Sequence, residues 1–270
     1  MSELRPTGRG VTGYVSPHRH RNAGFPQPEN GAVKVWRYMG LPALVNILAN
    51  RHLPFIRVDL FEDPFEDSAP SSLASAFTDP VARDQHVAGS LAARKQAFVS
   101  CWHENQHESE AMWRLYCTPR EGIALQTTYE KLDASLPHDR DTAAAGEPVF
   151  LGRVSYRDHA EWDLKVPFNR FALLMHKRLA FAHEHEVRAV VLANAPITVT
   201  GHRDTLKVEA ADMPEAKFVA WDANAVLDHV YVSPYAKGWY RDAVVAVLHR
   251  FAPPLLGRLC PSSMCAAPNF

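Results

Sequence analysis

The 270 residues suit one large domain or two small ones and are enough for a real hydrophobic core. A hydrophobic fraction of 47% and a charged fraction of 22% describe a globular chain rather than a disordered one. The formal net charge of −1 leaves the whole-molecule field no pull toward nucleic acid or an anionic membrane, so any such contact would need a local patch.

Residues 1–32 hold Gly8, Gly10, Pro17, Pro26 and Pro28 and a basic cluster, His18 to Arg21, with no apolar periodicity. They are expected to form a flexible arm, and the cluster reads as a solvated tail or a phosphate-binding arm. The polar first residues lack the apolar core of a secretion signal, and no apolar run approaches the ~18 residues of a membrane helix. Cys101, Cys117, Cys260 and Cys265 are too few and too irregularly spaced for a disulfide framework, and none forms a C-x-x-C pair. Together these features predict a cytoplasmic protein with reduced thiols and no membrane partner, although a specialised secretion system would leave no mark of this kind.

Order is expected from Val33. VKVWRYM reads as a strand with Val33, Val35 and Arg37 on one face and Lys34, Trp36 and Tyr38 on the other. Gly40 marks a turn, Pro42 sits early in a helix where its missing N–H costs nothing, and Leu41, Leu44, Val45 and Leu48 form a buried stripe. A second strand follows at Leu53 to Val58. Asp59 to Asp67, DLFEDPFED, reads as an acidic turn whose phenylalanines plug the core, since its spacing fits no EF-hand loop. Residues 68–80 read as a loop and Val87 to Lys95 as a helix.

AFVSCW, Ala97 to Trp102, predicts a short strand with Ser100 near its end. Ser109 is a good N-cap for a helix in which Met112, Trp113 and Tyr116 share a face, packed in the core or lining a pocket for a flat ring. Gly122 to Thr128 is expected as a strand and Tyr129 to Leu136 as a short helix, with a loop over 137–147. Val149 to Tyr156, Ile197 to Thr200 and Val230 to Val232 are expected as strands. Tyr240, Val244, Val247, Leu248 and Phe251 predict an amphipathic helix, and residues 253–270 an irregular tail. No repeat or linker cuts the chain, so residues 33–252 are expected to form a single α+β domain.

Two constellations could carry chemistry. His103-Glu104-Asn105-Gln106-His107 matches H-E-x-x-H, the helical motif of zinc hydrolases, but it lies between a strand and an N-cap, where a turn is expected. In KRLAFAHEHEVRAVV, Lys177 to Val191, a strand is expected to carry Glu184, Glu186 and Arg188 on one face, neighbours about 7 Å apart. Such a row is either a solvated sheet face or paired acids that stabilise developing positive charge. A carboxylate-pair glycosidase or nuclease would use the same residues.

VWRYMG, LVNILANRHLPF, DPFED, VSCWHE, SEAMWRLY, GIALQTT and KRLAFAHEHEVRA together resemble a bacterial family of uncharacterised domains, domain of unknown function 2971, over roughly residues 35 to 250. The same chain also resembles the ADP-ribosyltransferase superfamily in its arginine, serine, glutamate order. Arg37 would stand on the first strand, Leu44 to Leu48 in the L-x-x-I-L helix, Ser100 with Trp102 in the middle motif, and Glu184 with Glu186 in the E-x-E pair. Val99 and Cys101 stand where arginine-modifying members carry Thr and Ser.

The resemblance implies a split mixed sheet with flanking helices and NAD as substrate. It implies Glu186 as the catalytic carboxylate on the ribose 2′-OH and Glu184 as the residue that positions or deprotonates the acceptor. Arg37 would hold NAD phosphate or ribose, Ser100 would brace the site, and Tyr38, Trp102, Trp113 and Tyr116 would stack on nicotinamide. It further implies transfer of ADP-ribose to a protein or nucleic acid, in a toxin or phage-defence setting. The alternatives are a non-enzymatic domain that binds a nucleotide or a partner, and the zinc hydrolase of His103 and His107.

Overall fold

The computed structural model describes residues 25–68, 78–118, 120–138, 147–158, 170–194, 197–200, 207–210 and 213–265. The arm expected before residue 25, with the His18 to Arg21 cluster, lies outside them, as do the middles of the loops expected at 68–80 and 137–147.

The first half of the domain runs β1 (Lys34–Met39), α1 (Leu41–Asn50), β2 (His52–Arg57), α2 (Pro80–Gln96), β3 (Ala97–Glu104), α3 (Glu110–Tyr116), β4 (Ile123–Thr128) and α4 (Tyr129–Ala134). Then come β5 (Val149–Arg153), β6 (Ser155–Arg157), α5 (Arg170–Leu174), β7 (His176–Arg178) and β8 (Glu186–Leu192). The last part holds β9 (Ile197–Thr200), β10 (Lys207–Ala210), β11 (Ala216–Ala220), α6 (Ala223–Val226), β12 (His229–Val232), α7 (Gly238–Phe251) and β13 (Leu259–Cys260). The chain is therefore α+β, and none of its described helices is long and apolar enough to cross a membrane.

Nine strands join in one mixed sheet, in the order β11-β2-β3-β1-β4-β12-β13, with β8 and β5 added beside β3. Its central feature is a fork on β3. Val99 pairs with both Val190 of β8 and Ile56 of β2, so β8 and β2 lie on opposite edges of β3. His103 pairs with both Glu186 of β8 and Trp36 of β1, so β1 shares the edge that β2 occupies. Between the two contacts, Ser100, Cys101 and Trp102 have no strand partner on that edge among the described residues. β1 leaves β3 after Trp36 and continues along β4, α1 carries the chain over the gap, and β2 returns to β3 at Ile56.

The alternation of β3 divides its residues between two cores. Phe98 and Trp102, with Val187, Ala189 and Val191 of β8, turn toward the side covered by α1 and α7. Leu44, Ile47 and Leu48 of α1 and Val244 and Leu248 of α7 complete that core, so Ile47 takes the place expected for Val45. Burying such side chains is worth roughly 1.5–3 kcal/mol each, which holds a ten-residue helix that would be marginal alone. Ala97, Val99 and Val190 turn the other way, onto Phe25, Leu174 and Met175.

Two boundaries differ from expectation. Phe25 is 5% exposed and stacks on Phe150, and the amide of Arg153 donates to the Pro26 carbonyl, so residues 25–32 belong to the domain rather than to an arm. At the other end, residues 253–258 form a 3-10 turn with Leu255 fully buried, and β13 then pairs in parallel with β12. Apolar Leu255 and Leu259 give this tail something to bury, which the proline pair before them obscured.

Candidate functional site

A pocket of about 520 Å³ opens on the face of the sheet that carries Trp36, Tyr38, Cys101 and His103. Its remaining walls include Phe61, Glu66, Met112, Tyr116, Lys177, Phe181, Glu184 and Glu186. Arg37 and Trp102 also line it although they belong to the opposite face; Trp102 lies within the unpaired stretch of β3, and Arg37 on β1 faces it across the fork. The pocket thus extends through the fork.

Glu184 and Glu186 both reach this pocket, but not as neighbours on one strand. Glu184 ends a 3-10 turn, Leu179 to Glu184, and His185 caps it in the left-handed region at φ 40°. The kink costs a non-glycine residue strain, which is met by two bonds: the His185 amide donates to Ala182, and its carbonyl accepts from the Glu104 amide. Strand β8 starts only at Glu186.

Lys177 is what joins the two acids. Its ammonium donates to Glu184 Oε2 and, at 3.1 Å, to Glu186 Oε2, and lies 5.1 Å from the Phe181 ring centroid. Arg188 grips Glu186 with Nε at 2.6 Å and Nη2 at 3.0 Å, and also donates to Glu66 and to the Leu174 carbonyl at 2.6 Å. Three carboxylates therefore share two cations in a buried cluster. Burial alone would raise the Glu186 carboxyl, but Arg188 and then Lys177 outweigh it and hold it down at about 2. Burial alone would lower Lys177, but Glu186, Glu66 and Cys101 together more than reverse that, so the ammonium keeps its proton. Glu66 moves the opposite way from Glu186: burial and the Glu186 charge raise it despite Arg188.

The other expected site residues divide into three groups. Tyr38 and Tyr116 wall the pocket, with the Tyr38 hydroxyl accepting from the Ser109 amide at 2.9 Å and the Tyr116 hydroxyl donating to Glu184 Oε1 at 3.1 Å. Arg37 reaches across the fork, donating from Nη1 to Ser100 Oγ and from Nη2 to the Pro54 carbonyl at 3.5 Å. Burial lowers its guanidinium to about 10, so it remains a cation at neutral pH. Ser100 lies in mid-strand and does not line the pocket; it braces Arg37 from below.

Trp102 and Trp113 are not free to stack on a ligand. Trp102 is 2% exposed and packs edge-on to Trp221 in the core on the far face. Trp113 is 1% exposed, meets Tyr38 edge-on at 4.9 Å and stays outside the pocket. The helix that carries it turns Trp113 inward and Tyr116 outward, so only the tyrosine of that pair reaches the cavity.

The H-E-x-x-H match does not form a metal site. His103 and Glu104 are successive residues of β3, so their side chains leave opposite faces, and His107 lies beyond the strand end. Glu104 is taken by Arg153, whose Nε donates at 2.7 Å. Among the described residues no group of three or more histidines, cysteines or acids could hold a metal ion.

Three contributors to the pocket, Glu66, Lys177 and His103, carry little mark of that place in the sequence. Glu66 lies in what reads as an acidic turn, Lys177 only opens the stretch that carries Glu184 and Glu186, and His103 reads as a zinc ligand alone. The acidic run Asp59 to Asp67 is the one signal, and it points to the wrong residue: Phe65, expected to plug the core, is 45% exposed, while Glu66 beside it is buried against Arg188. No family model matches the chain, and no curated protein or solved structure shows significant similarity to it.

Proposed function

We propose that the chain is an NAD-dependent ADP-ribosyltransferase-like enzyme, with a forked, split sheet of that superfamily's kind, that transfers ADP-ribose to a protein or nucleic-acid acceptor. The observation that carries this reading is that Arg37 and the pair Glu184 and Glu186, about 150 residues apart in the chain, line one pocket. Among the described residues Arg37 donates only to neutral oxygens, which leaves its charge available to a phosphate. Tyr38 and Tyr116 supply flat walls for an aromatic ring.

Cleavage of the nicotinamide–ribose bond develops positive charge on C1′ and the ring oxygen. A carboxylate held ionised beneath the ribose stabilises that charge, as in glycoside cleavage. Glu186, kept anionic by Arg188 and Lys177, is suited to this task at any physiological pH. Incubation with labelled NAD and cell lysate is expected to label a macromolecule, and Glu186→Gln to abolish the label. A second reading has one observation in its favour: both Glu186 oxygens already accept bonds from Arg188 and Lys177, which suits a non-enzymatic nucleotide-binding domain. NAD binding without any label, in lysate or with water as acceptor, would select it; absence of NAD binding would overturn both.

A further inference from the structure

His103 lies in the pocket wall, 6% exposed. Its Nδ1 is 2.5 Å from the Glu184 carbonyl, an oxygen that can only accept, so Nδ1 carries the proton. Nε2 is then left with its lone pair, and among the described residues it has no hydrogen-bond partner. A buried, unmatched acceptor costs roughly 1–3 kcal/mol, a cost that a ligand donor would remove.

Resting on the reading above, we infer that His103 Nε2 is the general base that takes the proton of a hydroxyl acceptor, water included, as its oxygen attacks C1′ of the ribose. The C1′–N bond breaks with its electron pair going to nicotinamide, the C1′–O bond forms, and the proton passes to Nε2 and then to solvent. His103 is the direct cross-strand partner of Glu186, so base and charge-stabilising acid stand about 5 Å apart at Cβ.

The pocket acids serve this role less well. Both Glu184 oxygens are occupied, one by Tyr116 and one by Lys177, and both Glu186 oxygens by Arg188 and Lys177. A carboxyl held at about 2 is also a weak base near pH 7, where a neutral imidazole is far better matched. Burial lowers His103 and the bond to Glu184 opposes this, the net direction being down, so the ring is neutral at pH 7. The charged and titratable groups around it are Glu184, His185 and Glu104, with Glu186 across the strand pair and the Tyr38 ring 6.3 Å away.

His103→Asn can keep a donor for the Glu184 carbonyl while deleting the lone pair. Transfer or hydrolysis of NAD is expected to fall by about 10²–10⁴-fold with KM for NAD unchanged, and the acidic limb of the pH–rate profile to disappear. Long-range proton–nitrogen NMR of the whole protein is expected to show His103 at neutral pH with Nδ1 protonated and Nε2 bare. Full activity in a folded His103→Asn, an unchanged acidic limb, or a proton on Nε2 would overturn the inference alone. A wild-type protein that neither cleaves NAD nor transfers ADP-ribose would overturn the reading beneath it as well.

Discussion

Replacing Lys177 by methionine removes the ammonium that lies between Glu184 and Glu186 while keeping most of the side-chain volume. Lys177 is 9% exposed on its side chain, and its loss leaves the three carboxylates with one cation, Arg188, which is paired with Glu66 and Glu186 but not with Glu184. The Glu186 carboxyl lies at about 2 against an ordinary 4.5, a gap worth about 3 kcal/mol at about 1.4 kcal/mol per pH unit. Arg188 supplies the largest share and Lys177 the next, and removal of one partner from a buried ion pair typically costs about 3–5 kcal/mol.

We expect Lys177→Met to lose about 3 kcal/mol at pH 7. Because the Glu186 carboxyl is depressed, its stabilising contribution is complete above 4.5 and fades as the pH falls from there toward 2. The deficit of the variant should therefore shrink on acidification. Urea unfolding followed by tryptophan fluorescence from pH 7 to pH 3 measures both quantities. Equal midpoints at pH 7, or a deficit that does not diminish in acid, would refute the charge-sharing account of the cluster.

Glu66→Gln is expected to cost less than Glu186→Gln in the same assay, because Glu66 is pushed toward its protonated form and a glutamine can still accept from Arg188. Arg37→Lys is expected to weaken NAD binding about tenfold, measured calorimetrically, since a lysine cannot span Ser100 and the Pro54 carbonyl together while facing a phosphate. Gly122→Ala would place a Cβ 2.7 Å from Cys117 Cβ and 3.1 Å from Trp113, so a loss of about 1–3 kcal/mol is expected from thermal unfolding. Cys117→Ala in the same background should recover part of it.

Much of the frame was legible because its signals are local. Ser109 caps its helix by accepting from the Met112 amide, as its type and position suggest. VKVWRYM, AFVSCW and GIALQTT hold the expected strands, with β3 running two residues further, to Glu104, while the strand expected at Leu53 to Val58 runs from His52 to Arg57. The site was less legible, for reasons that lie in the folding of distant segments. Alternation along AHEHEVR puts Glu184 and Glu186 on one face only if the backbone stays extended, and a left-handed His185 gives no sign of itself in composition. Ser100, Trp102 and Glu186 were grouped by motif order, yet the strand register places Ser100 and Trp102 on the face opposite Glu186. That register depends on which strands meet, which no single segment encodes.

The fork has a mechanical consequence. Its two arms are tied together above the opening by α1 and the two turns that flank it, and α1 rests on α7 through fully buried Leu44, Val244 and Leu248. Widening the doorway between the arms would require the helix to swing as a rigid bar, prying apart the close-packed layer beneath it. The width of the opening is thus gauged by the stiffness of the interior, and loops at the rim have little say in it.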